Sequence, residues 1–207
     1  DLVSWMADSN LLQKTNIIFT ADHGDSFGEG GRIQHVNVGD EVLHVPLIIT
    51  NSPSGRVINS VVSHSDITPT VLDLMGLATS DERIIGESLL MDKFSENSEE
   101  RNRGVLSIAS EPRRNEKYIS LRKGGLKYVR TIKTFSGSQR TVFEALLDVS
   151  HSFLESGDLR DVLPLEFKTM SLQADALLHG YQQHVGKALN AEDEAELRNR
   201  LSLLGYD

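Results

Sequence analysis

Residues 16–50 read NIIFTADHGDSFGEGGRIQHVNVGDEVLHVPLIIT, and they carry the clearest signals of secondary structure in the chain. The stretch opens and closes with short apolar runs, at 17–19 and 45–49, which are rich in β-branched residues. Continuous apolar runs, as opposed to alternating ones, are typical of strands that are buried on both faces of a parallel sheet. The stretch therefore predicts an α/β protein in which 16–20 and 45–50 are neighbouring strands of a mostly parallel sheet flanked by helices.

The segment between these strands carries the side chains that can do chemistry. Asp22 and His23 directly follow the first strand, at the edge where open α/β sheets bind ligands. A carboxylate oxygen and an imidazole nitrogen can bind a divalent ion, but two ligands do not complete a coordination shell. On spacing alone, an ordinary Asp-His-Gly turn is the better interpretation. His35 follows in a glycine-rich segment, where it could bind an anion or could have no role.

Five pieces of the stretch resemble, in order and spacing, the second metal-ligand segment of sulfatases, which belong to the alkaline phosphatase superfamily. These pieces are TADHGD at 20–25, GE at 28–29, QH at 34–35, DE at 40–41 and HVPLII at 44–49. The resemblance implies that Asp22 and His23 bind a divalent metal ion. Calcium is expected first, with manganese, magnesium or zinc as alternatives. It also implies a catalytic, substrate-binding role for His35 at the sulfate or phosphate, with Gln34 as a weaker neighbour.

The resemblance begins in the middle of the family pattern. The family's nucleophile lies in a Cys/Ser-x-Pro-x-Arg motif, which this sequence does not contain. A formylglycine, or a Ser or Thr nucleophile, is therefore expected in an N-terminal part that precedes these residues, together with a further acidic pair of metal ligands. The sequence is expected to be the C-terminal part of a sulfatase-like hydrolase, with half of the active site and no activity alone.

Two other functions stay open at this point. The Asp-His pair at 22–23, where sulfatases proper commonly have Asp-Asn, permits a phosphodiesterase, a phosphonate hydrolase or a phosphoglycerol-type transferase of the same superfamily. A function of another class is a non-catalytic domain that is kept as a scaffold. An upstream nucleophile motif in the parent protein would separate the enzymes from the scaffold.

The rest of the chain predicts two parts. Residues 1–103 are expected to complete this part of the α/β core, and 104–207 to form a subdomain with a small antiparallel sheet and C-terminal helices. Short stretches of strand character, with Gly-Gly at 124–125 as a hairpin turn, support the second part. The predicted helices are 2–12, 69–75, 165–183 and 191–204, and the predicted strands of the second part are 105–110, 118–122, 126–131 and 141–147.

Composition limits the possible partners. The net charge of −9 argues against nucleic acid or an anionic membrane surface as the main partner, because both require a basic surface. No apolar run approaches the roughly 20 residues of a membrane span. The chain has no cysteine, which excludes disulfides and thiolate zinc sites. The resemblance implies a small-molecule or glycan sulfate or phosphate ester as the substrate.

Overall fold

The computed structural model describes residues 1–52, 55–77, 84–91, 103–150 and 156–188, and the predicted helix at 191–204 lies outside them. The helices are α1 (Leu2–Asp8), α2 (Asp40–Leu43), α3 (Ile67–Leu74) and α4 (Pro164–Ala188). The strands are β1 (Ile18–Thr20), β2 (Ser26–Phe27), β3 (Ile33–Gln34), β4 (Leu47–Ile49), β5 (Val105–Glu111), β6 (Glu116–Lys123), β7 (Leu126–Phe135), β8 (Ser138–Asp148) and β9 (Ser156–Asp158). The α/β class is confirmed, and the division at residue 103 stays a prediction.

The strands β1 and β4 are neighbours, as predicted, but this pair runs antiparallel, whereas the sequence predicts a mostly parallel sheet. Phe19 is opposite Ile48 in this pair. Parallel neighbours need a long crossover, usually a helix. The connection here holds only the short elements β2, β3 and α2, so the chain turns back along β1. An antiparallel strand is common in the mixed sheets of α/β proteins.

Helix α1 ends at Asp8, whereas the predicted helix extends to residue 12. Asp1 caps its start, because the Ser4 N–H donates to Asp1 Oδ1 at 2.8 Å. Met6 is buried, but Leu2 and Val3 are 68% and 54% exposed. Within the described part of the chain, no element covers these two side chains.

Helix α3 begins at Ile67, two positions before the predicted start. A capping box between Ser63 and Asp66 forms the turn that leads into the helix, so the start is fixed upstream of Pro69. The Asp66 carboxylate is fully buried and accepts hydrogen bonds from the Glu87 N–H at 3.0 Å and from the Arg103 guanidinium. Asp66 thereby links this helix to two later segments of the chain.

The second part is a five-stranded antiparallel sheet in the sequential order β5-β6-β7-β8-β9. The four predicted strands are confirmed, and β9 is an addition that the sequence did not indicate. Leu121, Tyr128 and Leu146 are paired across the central strands and point to one face. On that face they pack against Met170 and Ala174 of α4. None of the helices in the described ranges combines the length and apolar character that crossing a membrane would require.

The opposite face of this sheet contacts the segment between β1 and β4. Val38 packs against Val129 and Ala145, which alternate with the residues under α4. Next to this contact, the buried carboxylate of Asp40 accepts hydrogen bonds from Lys127 Nζ at 2.7 Å and from the Arg122 guanidinium. The N-terminal part and the five-stranded sheet are thus joined by one apolar contact and one buried ion cluster.

Burial would raise the pKa of Asp40, but the positive charges of Lys127 and Arg122 outweigh burial and hold its pKa below the ordinary value. The Lys127 side chain is 0% exposed, and the Asp40 carboxylate compensates its charge inside the protein. Removing one partner of a buried ion pair leaves an uncompensated charge, which is far more costly than losing an exposed pair.

We expect Asp40→Ala to lower the free energy of unfolding by about 3–5 kcal/mol, because the buried cluster would lose the carboxylate that both Lys127 and Arg122 contact. The matched control is Arg160→Gln, which removes an ion pair to Asp158 between side chains that are 45% and 35% exposed. That variant should lose less than about 1 kcal/mol. Urea unfolding of both variants is the measurement. Equal losses would show that the buried cluster has no special role.

The lowered pKa of Asp40 predicts how this effect depends on pH. An unfolded Asp binds its proton at a higher pH than the folded one, so Asp40 stabilises the fold fully above its unfolded pKa of about 3.9. This stabilisation is lost as the pH falls through the folded pKa. The difference in the free energy of unfolding between the wild type and Asp40→Asn should therefore be constant near neutral pH and become smaller in acid. A difference that grows in acid would contradict this assignment.

Candidate active site

A network of buried polar groups holds the loop between β1 and β4 in one shape. Ser26 Oγ donates to Glu41 Oε1 at 2.8 Å, and Asn37 Nδ2 donates to Ser26 Oγ at 2.9 Å. Arg32 Nε donates to the same Glu41 oxygen at 2.8 Å. Burial would raise the pKa of Glu41, but the hydrogen bonds from Arg32 and Ser26 hold it below its ordinary value. The ionised Glu41 thus fixes the β2–β3 hairpin against α2.

Gly24 brings the start of the loop against α2. Its N–H donates to the Val42 carbonyl oxygen at 2.8 Å. A Cβ at this position would lie 2.2 Å from the Glu41 carbonyl oxygen, so only glycine permits this approach. The neighbouring Asp22 and His23 are therefore held beside α2 by a contact of the backbone itself.

The Asp22 and His23 side chains lie together on the surface. His23 Nδ1 is 2.9 Å from the Gly24 carbonyl oxygen, which can only accept, so the ring proton is on Nδ1. In the neutral ring this leaves the lone pair on Nε2, which is 3.7 Å from Asp22 Oδ2. The His23 backbone N–H donates to Asp22 Oδ1 at 2.9 Å and, with the His23 ring, lowers the pKa of Asp22. Asp22 is thus an ionised oxygen donor beside an imidazole nitrogen.

The loop brings His35 to the same place. Its ring stacks on the His23 ring, with a centroid distance of 4.3 Å and an interplanar angle of 25°. His35 Nδ1 is 3.3 Å from Asp25 Oδ1. We call Asp22, His23, Asp25 and His35 the histidine cluster. Two histidines that are remote in the sequence therefore share one exposed site with two carboxylates.

Gln34 lies next to the histidine cluster in a strained conformation. Its φ of 69° is in the left-handed region, which is unfavourable for a residue with a Cβ. Its carbonyl oxygen accepts a long hydrogen bond of 3.4 Å from Asn37 Nδ2. In the part of the chain that the structure describes, the exposed side chain of Gln34 makes no hydrogen bond to the cluster.

The Asp22 carboxylate oxygen and His23 Nε2 could serve as two of the ligands of a metal ion. A metal-bound His commonly donates its second ring N–H to a carbonyl oxygen, as His23 does to Gly24. Zinc takes about four ligands and calcium about six to eight, so further ligands are required. Across the described ranges, no group of three or more His, Asp or Glu side chains is arranged to hold an ion.

Sequence reasoning missed several residues that build the site. Asp25 had no assigned role, but it contacts His35. No sequence pattern indicated the roles of Ser26 and Asn37, because short polar residues are common in any loop. The DE piece at 40–41 was part of the family resemblance, but its residues had no assigned role. The structure assigns one to each: Asp40 contacts the sheet and Glu41 contacts the hairpin.

Comparisons with known sequences find similarity to sulfatases. The sequence model of the Sulfatase family matches residues 1–77. Arylsulfatase K of Xenopus laevis is 33% identical over 93 residues, which are 44% of this chain and 17% of that protein. Choline-sulfatase of Rhizobium meliloti (strain 1021) is 28% identical over 130 residues, or 62% of this chain and 25% of that protein. The matched part of the chain therefore spans a quarter or less of these relatives.

Solved structures show the same fold over most of the chain. The structure of BT1596, a 2-O GAG sulfatase, has a TM-score of 0.61 and 22% identity, and it covers 90% of this chain and 42% of that chain. The structure of yidJ from Bacteroides fragilis has a TM-score of 0.71 and 17% identity, and it covers 86% and 38%. At these identities the likeness concerns the fold alone. Together with the sequence matches, it supports a sulfatase-family protein.

Proposed function

We propose that this chain forms part of the active site of a sulfuric ester hydrolase. The observation that carries the proposal is the stacking of His35 on His23, which puts a candidate anion-binding ring beside two candidate metal ligands. The related arylsulfatase K and choline-sulfatase support a sulfate ester as the substrate. Because the chain spans only part of these relatives, the activity is proposed for the whole enzyme.

The proposed metal ligands are Asp22 Oδ2 and His23 Nε2, whose positions and protonation suit a divalent cation. Calcium is the first choice, with manganese, magnesium or zinc as alternatives. A bound ion would polarise the ester oxygens and lower the pKa of a nucleophile beside it. The remaining ligands and the nucleophile, a formylglycine or a Ser or Thr, are proposed to come from the parent protein outside this sequence.

The proposed role of His35 is to bind the anionic end of the substrate. Asp25 accepts from Nδ1, so a protonated ring presents its Nε2–H to a sulfate oxygen while the carboxylate balances the ring's charge. A donor that is held in place stabilises the negative charge that develops on the ester oxygens. Gln34 is proposed as a second, weaker donor to the same anion.

One observation favours a second candidate function. His23 stands where sulfatases commonly have Asn, and an imidazole ligand also suits metal-dependent phosphoric ester chemistry. A phosphodiesterase, a phosphonate hydrolase or a phosphoglycerol-type transferase would use the histidine cluster in the same roles. Parallel assays with a sulfate ester and with phosphate mono- and diesters of the same alcohol separate these functions, because the preferred ester has the larger kcat/KM.

Three variants of the full-length protein test the roles of the cluster. Asp22→Ala and His23→Ala should lower the metal content and the turnover together, because one ion depends on both. His35→Ala should keep its metal and lower kcat by about 10²–10³-fold, as expected for the loss of an oxyanion donor. Metal analysis and hydrolysis of 4-nitrophenyl sulfate are the measurements.

The control for these variants is His64→Ala, which removes an exposed histidine outside the loop. It should change neither the metal content nor the turnover. Loss of metal in His35→Ala would make His35 a metal ligand instead. Full activity in that variant would show that His35 has no catalytic role.

The 207-residue chain by itself should not hydrolyse aryl sulfates or phosphate esters at enzymatic rates, because the nucleophile and the remaining ligands are absent from it. The test is a progress curve with purified chain, with the full-length protein as the positive control. Robust turnover that disappears in Asp22→Ala would place the complete site within these residues. A full-length protein that lacks both turnover and a nucleophile motif would instead support a scaffold.

A further inference from the structure

Two large apolar side chains stand on the surface of the β2–β3 hairpin. Phe27 is 85% exposed and Ile33 is 77% exposed, and the two are directly opposite each other across the hairpin. Single exposed apolar residues are ordinary, but an adjacent pair forms a small apolar surface of the kind that binds ligands. Directly paired residues have Cβ atoms about 5 Å apart, so one ring can contact both.

The hairpin holds this apolar pair outward. Ser26, on the opposite face of β2, is buried in hydrogen bonds to Glu41 and Asn37, so Phe27 cannot turn inward without breaking them. The Phe27 N–H also donates to Glu29 Oε2 at 2.6 Å within the turn. The exposure of the pair is therefore a fixed feature of the loop.

The apolar pair continues the histidine cluster. Asp25 directly precedes β2, and the exposure alternates there: Asp25 and Phe27 are exposed and Ser26 is buried between them, so Asp25 and Phe27 emerge on the same face. Residues two apart in an extended segment are about 7 Å apart. Asp25 contacts His35, so the apolar pair lies two positions along the hairpin from the partner of the proposed anion-binding ring.

We propose that Phe27 and Ile33 bind the apolar group, aromatic or alkyl, of the ester whose anionic end contacts His35. This inference rests on the proposed function and narrows its substrate to aryl or alkyl esters in preference to esters of polar sugars. The hydroxyls of a sugar would lose hydrogen bonds to water against this pair, whereas an aromatic ring removes both its own apolar surface and that of the pair from water.

The experiment uses the full-length protein and the double variant Phe27→Ser/Ile33→Thr. We expect kcat/KM for 4-nitrophenyl sulfate to fall about tenfold, the lower end of the effect of small apolar changes in a binding site. This loss should result from a higher KM, with kcat little changed. The kcat/KM for glucose 6-sulfate and the inhibition constant of inorganic sulfate should stay unchanged, because the anion-binding groups are intact.

Two further variants keep the result interpretable. Phe143→Ser/Val142→Thr removes an apolar pair of similar kind from β8, where the side chains are 53% and 50% exposed, and should leave all three constants unchanged. Phe27→Leu keeps an apolar side chain on the hairpin and should retain most of the activity on the aryl ester. Unfolding by urea checks that each variant is folded.

The outcomes separate the two proposals. An equal loss for both esters, or no loss in the Phe27→Ser/Ile33→Thr variant, would overturn the apolar-group inference and leave the hydrolase proposal intact. The second result is also what a hairpin covered by another part of the parent protein would give. A protein that hydrolyses neither ester and is not inhibited by inorganic sulfate would overturn the proposed function itself.

Discussion

The buried carboxylate of Asp40 joins the loop between β1 and β4 to the five-stranded sheet. Taking three charged groups out of water is costly, and the attraction between them repays that cost only if the geometry is good. Here one carboxylate faces both Lys127 and Arg122, across 87 and 82 positions of the sequence. The cluster favours the observed docking position of the sheet, because a shift would separate the fully buried Lys127 from the Asp40 carboxylate.

Helix α2 connects the Asp40 ion cluster to the candidate site, although it is only four residues long. Its first three residues each hold a different part of the molecule. Asp40 holds the five-stranded sheet, Glu41 holds the β2–β3 hairpin through Ser26 and Arg32, and the Val42 carbonyl holds Gly24. The histidine cluster lies between the last two contacts. A single turn of helix thus sets the distance between Asp22–His23 on one side and His35 on the other.

The sequence predicted those features that depend on local pattern. The apolar runs identified β1 and β4, and strand character with a Gly-Gly turn identified the sheet. It did not predict the direction of β4, since direction depends on the path of the connection and not on the strand itself. It missed the contact of Asp25 with His35 and the exposure of Leu2 and Val3. Both depend on which parts of the folded chain pack against these residues, and a local sequence pattern does not contain that information. The family resemblance located the candidate residues without saying what holds them.

The residues that position the histidine cluster are buried, whereas the cluster itself is exposed, and this difference has a chemical consequence. Ser26, Asn37 and Asp40 are buried and hydrogen-bonded, whereas Asp22 has a side chain that is 88% exposed. Charges in water are screened, so an exposed cluster gives little electrostatic stabilisation to a transition state. A chain with a net charge of −9 would also repel an anionic ester. The proposed catalysis therefore requires a cation at Asp22 and His23 and a covering surface that excludes water. The loop supplies two ligands for the cation, and its exposed outer face is where the covering surface would lie.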